Sequence, residues 1–320
     1  MQMKNLKVIT TSVIRASQKG ESHGGIFLID LISGSHELIM DWDSIDIDWS
    51  GCGMDRGLRG ITFSSGCTFI AASDELLVFD KNFKIIDRWK NQYLKHCHEI
   101  FTEGDTLWLT STGFDSILSF DLKRGLFVQG YCLWHGFLGS MHKKIFKHTS
   151  PKIFPFDPNK PNGPKLKDTL HLNNVFYLNG NLFLSGSRLG SLLCFNGTKI
   201  HPMAPIPFST HNVQPYKDGV LMHYTKKDML LYTDHKGRTI LQWELPHYDE
   251  HKLINVNIPK DYARQRFGRG LCTSGEDLII AGSSPATVTL YRLNEKNPVT
   301  SINLSKDVRN AIHGLEVYPY

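Results

Sequence analysis

Short apolar segments separated by turn residues recur along the whole chain. Val, Ile, Leu, Phe and Tyr dominate the segments, and Gly, Asn, Asp and Ser dominate the gaps between them. No stretch repeats its apolar residues with the 3.6-residue period of an amphipathic helix. The pattern therefore predicts an all-β chain.

The apolar segments belong to six copies of one repeating unit. Each copy starts with a polar residue, a small or polar residue and an aliphatic residue, and then runs through a turn into an apolar strand. The copies start at Arg59, His98, Asn173, His211, Arg269 and His313. Third and fourth apolar segments follow most copies, such as ELLVFD and FKIIDRW after the first. Four strands in a unit of about 40 residues is the signature of a β-propeller, so we predict six blades of four antiparallel strands.

The last copy is incomplete in a way that predicts how the ring closes. Only its first strand, HGLEVYPY, is present, while three further segments, LKVITTSV, GGIFLIDL and HELIMDW, stand at the beginning of the chain. We expect one blade to combine these N-terminal and C-terminal strands, which would remove the edge that an open array exposes. Residues 1–320 then form a single domain, with insertions at about 123–170 and 244–268 that could act as lids or binding loops.

Composition and charge narrow the possible partners. The net charge of +5 comes from scattered lysines and arginines without long basic runs, so no nucleic acid is expected as a partner. No segment approaches 18 consecutive apolar residues, and the first residues do not form a signal peptide. We therefore expect no membrane partner and a cytoplasmic location. The six cysteines form no Cys-x-x-Cys pair and are expected to be reduced thiols.

The first residues of the six copies carry the candidate metal chemistry. The innermost strands of a propeller surround its central channel and start at one face, so these residues should converge on a ring. His98, His211 and His313 alternate around that ring with two arginines and an asparagine. Three imidazoles are a suitable ligand set for a divalent transition metal, and we predict iron, zinc, copper or manganese.

Other polar residues near the ring are candidates for substrate binding and proton transfer. Arginine binds carboxylate or phosphate through two parallel hydrogen bonds, and loops joining second and third strands should lie on the same face. The predicted substrate-binding residues are Arg59, Arg269, Asn173 and Arg188. The predicted proton-transfer residues are His96, His171, Glu99 and Asp115.

The leading hypothesis is a metal-dependent enzyme that acts on a small anionic metabolite by lyase, isomerase, hydrolase or oxygenase chemistry. A second hypothesis is a propeller that binds a ligand or a protein without catalysis. A third is a metal-free enzyme with a His/Arg pocket. Histidines that only satisfy channel groups are the structural alternative to all three.

One block of the sequence resembles a known family. The segment YLKHCHEIFTEGDTLWLTSTGFDSILSFDL, with LRGITF before it and HLNNVFYLNG and HNVQPY after it, is similar to a bacterial six-bladed β-propeller family, a conserved domain of unknown function. This resemblance implies the fold and little about the chemistry. The architecture is more distantly similar to lactonase and strictosidine-synthase-like propellers. Calcium-dependent lactonases there use mainly acidic and amide ligands, where this sequence has histidine and arginine.

Overall fold

The structure, a computed structural model, describes residues 6–43, 56–134 and 151–320. Twenty-five β-strands and three short 3-10 turns account for the regular structure of these residues. The first twelve strands are β1 (Lys7–Ile14), β2 (Gly25–Asp30), β3 (His36–Asp41), β4 (Ile61–Ser64), β5 (Cys67–Ala72), β6 (Glu75–Phe79), β7 (Ile85–Lys90), β8 (Ile100–Glu103), β9 (Thr106–Ser111), β10 (Ser116–Asp121), β11 (Leu126–Trp134) and β12 (Lys152–Phe156). The remaining strands are β13 (Leu172–Leu178), β14 (Asn181–Gly186), β15 (Ser191–Phe195), β16 (Ile200–Pro205), β17 (Thr210–Tyr216), β18 (Gly219–Tyr224), β19 (Met229–Asp234), β20 (Thr239–Glu244), β21 (Leu271–Ser274), β22 (Leu278–Ser283), β23 (Thr287–Arg292), β24 (Thr300–Asn303) and β25 (Asn310–Val317). The 3-10 turns are Thr112–Phe114, Thr225–Lys227 and Glu250–Lys252.

The strands form six antiparallel sheets that make up a six-bladed propeller, as predicted. We number the blades in chain order: blade 1 is β4–β7, blade 2 is β8–β12, blade 3 is β13–β16, blade 4 is β17–β20, blade 5 is β21–β24, and blade 6 is β25 with β1–β3. In every blade the first strand in this order is the innermost one.

Apolar side chains pack between neighbouring blades all the way around the ring. A separate cluster fills each of the six interfaces, and the cluster between blades 6 and 1 contains Ile9, Ile26, Ile61 and Ile70. All four of these side chains are at most 2% exposed. Burial at the closing interface thus matches that between blades adjacent in sequence, and the hydrophobic effect holds the ring together.

Blade 6 is closed by the two ends of the chain, as the incomplete last copy predicted. β1 pairs antiparallel with β25, with Val8 opposite Val317 and Ile14 opposite Asn310. The hydroxyl of Thr11 accepts the Gly314 N–H at 2.8 Å and donates to the Arg59 carbonyl at 2.6 Å. Thr11 therefore ties the closing blade to the start of blade 1.

The two predicted insertions differ in structure. The range 123–170 was too wide, because β11 within it is the fourth strand of blade 2 and β12 adds a fifth. Residues 135–150 of that insertion lie outside the described part of the chain. The second insertion, 244–268, contains the Glu250–Lys252 turn and otherwise runs without strands after Glu244. Of the residues described, none belongs to a helix long and apolar enough to cross a membrane.

Candidate anion site at the channel head

The six residues that start the repeats lie at or just before the innermost strands, and all are buried. Their exposed fractions range from 2% for Asn173 to 7% for His98. We call these residues the head ring: Arg59, His98, Asn173, His211, Arg269 and His313. The ring centroids of His98 and His313 are 5.5 Å apart, which shows that blades 2 and 6 meet here.

Hydrogen bonds fix the tautomer of His98. Its Nδ1 lies 2.8 Å from the carbonyl oxygen of His96 and 2.8 Å from the hydroxyl oxygen of Thr112. A carbonyl only accepts, and the Thr112 hydroxyl donates to the Leu172 carbonyl, so Nδ1 must carry the proton. The Nε2 atom of His98 is therefore unprotonated. Arg59 Nη1 lies 3.3 Å from Nε2 and 3.4 Å from Nδ1.

A threonine hydroxyl also orients His211, in blade 4. Its Nδ1 lies 2.9 Å from the hydroxyl oxygen of Thr225, which in turn donates to the Gly268 carbonyl at 3.4 Å. Thr112 and Thr225 each open a 3-10 turn between the second and third strands of their blade. The Nε2 atom of His211 is unprotonated, buried and without a hydrogen-bond partner.

The surroundings of the imidazoles are cationic. Burial lowers the pKa of His98 well below its ordinary value, and the charge of Arg59 lowers it further. Burial also lowers the pKa of His313, followed by the charges of Arg269, Arg59 and Arg15. Both histidines are therefore neutral at pH 7.

The metal hypothesis depends on how closely the three histidines approach one another. Within the described residues, no group of three or more His, Cys, Asp or Glu side chains could hold one. The guanidinium of Arg59 lies within 3.4 Å of both ring nitrogens of His98, and a nearby positive charge repels a metal cation. The predicted metal centre at His98, His211 and His313 stays a prediction.

Glu99 lies beside His313 of the head ring. Its Oε1 accepts a hydrogen bond from Asn212 Nδ2 at 2.9 Å and lies 3.9 Å from Nδ1 of His313. The Asn212 amide is oriented because its Oδ1 accepts the Gly270 N–H. Burial raises the pKa of Glu99 to about 8, although the Asn212 hydrogen bond and the charges of Arg269 and Arg59 lower it.

His171 forms a carboxylate–imidazole pair with Asp168, a residue that the sequence did not single out. Nδ1 of His171 lies 3.0 and 3.2 Å from the two carboxylate oxygens of Asp168, and its ring centroid is 5.2 Å from that of His98. Burial opposes ionisation of Asp168, but the hydrogen bond and charge of His171 and the charge of Arg188 bring its pKa below the ordinary value. The predicted substrate-binding residue Arg188 thus pairs with Asp168 instead, through Nη1.

Asp115 anchors a neighbouring segment of the chain through its carboxylate. Its carboxylate accepts the N–H and the hydroxyl of Thr169 and the N–H of Leu170 at 2.6–3.0 Å. These bonds anchor the segment that carries Asp168 and His171 to blade 2. The predicted proton-transfer role of Asp115 stays a prediction.

The backbone of His96 and the side-chain amide of Asn173 are both held by hydrogen bonds. The carbonyl of His96 is a partner of His98, and its N–H donates to Asp74 Oδ1 at 3.1 Å. Nδ2 of Asn173 donates to the Thr210 carbonyl at 3.2 Å.

The second insertion bears directly on the site. Phe267 lies beside His211, with ring centroids 6.1 Å apart. The guanidinium carbons of Arg15 and Arg269 lie 3.8 and 4.7 Å from the centroid of the Phe267 ring, within the range of cation–π attraction. Arg264 donates to the carbonyl of Thr225 and pairs with Asp228, which binds the insertion to the turn that orients His211.

A cavity of about 390 Å³ lies under the same insertion, away from the axis. Asp228, His247, Leu253 and Arg264 are among the residues that line it, and no residue of the head ring does. The cavity is therefore distinct from the site at the channel head.

Comparison with known proteins finds distant structural likenesses and no sequence match. No protein-family model matches the chain, and no curated protein matches its sequence. The computationally designed Ika8 protein gives a TM-score of 0.49 at 9% identity, covering 97% of this chain and 91% of that chain. Selenomethionine-substituted virginiamycin B lyase from Staphylococcus aureus gives 0.43 at 11% identity, and a catalytically inactive form of that lyase with quinupristin gives 0.43 at 12%; each covers 75% of this chain and 71% of the lyase. The predicted membership of an uncharacterised bacterial family stays a prediction.

Proposed function

We propose that the chain is a metal-free acid–base enzyme acting on a small carboxylate anion at the head ring. The observation that carries this proposal is the Asp168–His171 pair beside a ring that contains Arg59 and Arg269. Such a combination supports proton transfer on a bound anion, in an isomerase, lyase or hydrolase reaction. The metal-dependent alternative would place a metal cation next to the positively charged guanidinium of Arg59.

His171 is the proposed general base. The carboxylate of Asp168 accepts the proton on Nδ1, so Nε2 bears a lone pair on the other side of the ring. A base oriented by a carboxylate is a recurring arrangement in proton-transfer enzymes. The proton would pass from the substrate to Nε2, and the released electron pair would stay on the substrate.

The arginines are the proposed anion-binding groups. Arg59 forms no ion pair with a described residue, and Phe267 stacks close to Arg269. Positive groups in a buried site stabilise negative charge more strongly than they would in water. They would bind the carboxylate and stabilise the charge left after proton removal.

Glu99 is the proposed proton donor. With a pKa of about 8 its carboxyl group holds a proton at neutral pH, whereas His98 and His313 are neutral. A carboxyl group that stays protonated at neutral pH can serve as a general acid. Donation of this proton would balance the one taken by His171.

Proton exchange tests the proposal without a known substrate. The protein, kept in EDTA, is incubated in D₂O with a set of small carboxylates, and proton NMR follows the loss of carbon-bound protons and the formation of products. We expect exchange or turnover of at least one compound, about 100-fold slower or more in His171→Ala. The exposed His235→Ala variant is the control and should behave as wild type.

Two results would overturn the proposal. Activity that EDTA abolishes and a transition metal restores would support the metal-dependent hypothesis. Carboxylates that bind at the ring without exchange or turnover would support a binding propeller.

A further inference from the structure

The buried polar atoms of the head ring without hydrogen-bond partners differ in kind from one side to the other. On the side of blades 3 and 4 they are acceptors. On the side of blade 6, flanked by blades 5 and 1, they are Nε of Arg59, which donates, and Nδ1 of His313, which can donate or accept. A ligand that satisfies both sides must itself carry two kinds of group.

The acceptor side consists of Asn173 and His211, which are 2% and 6% exposed. Nδ2 of Asn173 donates to Thr210, which orients the amide and leaves Oδ1 buried without a partner. Nδ1 of His211 donates to Thr225, and the unprotonated Nε2 is also buried without a partner. Both atoms accept hydrogen bonds, so the ligand group that meets them must donate.

The opposite side consists of Arg59 and Arg269, on the two blades adjacent to blade 6. Nε of Arg59 is buried without a hydrogen-bond partner, and guanidinium groups only donate. The charges of both arginines act on His313, which lies between them in the ring order. An anionic acceptor fits this side.

Resting on the proposed function, we propose that the ligand of this site is a small hydroxycarboxylate. Its carboxylate would bind on the side of Arg59 and Arg269, and its hydroxyl would donate to Asn173 Oδ1 or His211 Nε2. An ammonium group could also donate, but the arginines disfavour a second cation in the buried site. A hydroxyl donates without adding charge.

The hydroxyl should matter strongly for affinity. A site built to hydrogen-bond a hydroxyl discriminates against an analogue without it, because its own buried acceptors are then left unpaired. The expected loss on removing the hydroxyl is therefore at least about tenfold in Kd.

The experiment compares matched pairs of acids by isothermal titration calorimetry in EDTA. The pairs are lactate with propionate, and malate with succinate. We expect the hydroxy acid of at least one pair to bind at least about tenfold more tightly than its partner. Asn173→Leu and His211→Leu should reduce this ratio to about threefold or less, while His211→Gln, which keeps an acceptor, and the exposed His235→Leu control should retain it.

The outcomes separate this inference from the proposed anion site. Equal binding of both acids in each of the two pairs, lost in Arg59→Gln, would keep the anion site and overturn the hydroxyl inference. A preference that survives in both leucine variants would also overturn it. Absence of binding by every acid in wild type would overturn the inference and the anion site together.

Discussion

Two histidines of the head ring, His98 and His211, are each oriented by a threonine of the same blade. In blades 2 and 4 a threonine at the first position of a 3-10 turn accepts the Nδ1 proton of the histidine that starts the blade. The hydroxyl of each threonine is itself oriented by a backbone carbonyl. This fixes which nitrogen faces the channel, because a second hydrogen-bond partner determines the tautomer of an imidazole.

Thr225→Val tests this orientation. The isosteric change removes the acceptor for Nδ1 of His211, so we expect the Nδ1–H tautomer to lose population and the free energy of unfolding to fall by about 1–3 kcal/mol. Nitrogen-15 NMR of the histidine rings and urea denaturation measure the two effects. The exposed Thr239→Val in the same blade is the control, and an unchanged His211 spectrum in Thr225→Val would contradict the assignment.

Glu316, in the last strand, should make stability depend on pH. Burial raises its pKa to about 8, and the charge of Glu99 adds to this. Between the ordinary value of 4.5 and about 8 the folded state keeps a proton that the unfolded state has lost, so the free energy of unfolding falls as pH rises.

Glu316→Gln removes this contribution. We expect its urea stability to decline less steeply from about pH 5 to about pH 8, by at most about 1.4 kcal/mol per pH unit. The exposed Glu103→Gln should keep the wild-type slope. Equal slopes for wild type and Glu316→Gln would show that Glu316 titrates normally.

At the scale of elements, the connection that enters blade 3 carries the proposed base and is anchored by blade 2. Asp115, in the left-handed conformation that ends a 3-10 turn, supplies three hydrogen bonds to Thr169 and Leu170. The Asp115 carboxylate thus helps to hold Asp168 and His171 in place, although its hydrogen bonds go to the residues between them.

Asp115→Ala should loosen this connection. We expect the free energy of unfolding to fall by about 1–3 kcal/mol, since buried donors lose their acceptor, and activity to fall with it. Urea denaturation gives the stability. Asp105→Ala removes an exposed ion pair with Lys123 in the same blade and should change stability by less than about 1 kcal/mol; an Asp115→Ala effect no larger than this would contradict the anchoring role.

The sequence predicted the blades and the head ring because both follow from a repeat. The position of Arg59 and His98 within the repeat places them at the ring, independently of how their side chains pack. The repeat could not reveal Asp168, because its role depends on how a long connection folds back onto Asp115 and Arg188. The strand β12 was missed because KIFPF contains a proline and lies in a long gap between copies, where the repeat gives no register.

At the scale of the whole molecule, the closed ring requires close packing where blade 6 meets blade 1. A Cβ added at Gly314 would lie 2.3 Å from the carbonyl oxygen of Arg59 and 2.8 Å from the hydroxyl oxygen of Thr11. Neither can move without disturbing the bond that Thr11 makes to blade 1. Glycine at this position is therefore a condition for closure.

Gly314→Ala should weaken the closure of the ring. We expect a loss of about 1–3 kcal/mol or more in the free energy of unfolding, because overpacking forces the backbone apart. Gly190→Ala is the matched control, since an added Cβ there has no neighbour nearer than 3.7 Å. Similar urea midpoints for the two variants would contradict the account of closure.

The most direct test of the central claim is the melting temperature of the EDTA-treated protein, measured with hydroxycarboxylates and, separately, with iron, zinc, copper or manganese. A ligand that binds the folded state raises Tm. We predict that a hydroxycarboxylate such as malate or lactate raises Tm without added metal, that this rise disappears in Arg59→Gln, and that the metals alone do not raise it. A Tm increase that requires a transition metal and persists in Arg59→Gln would contradict an arginine-based anion site and favour a three-histidine metal centre.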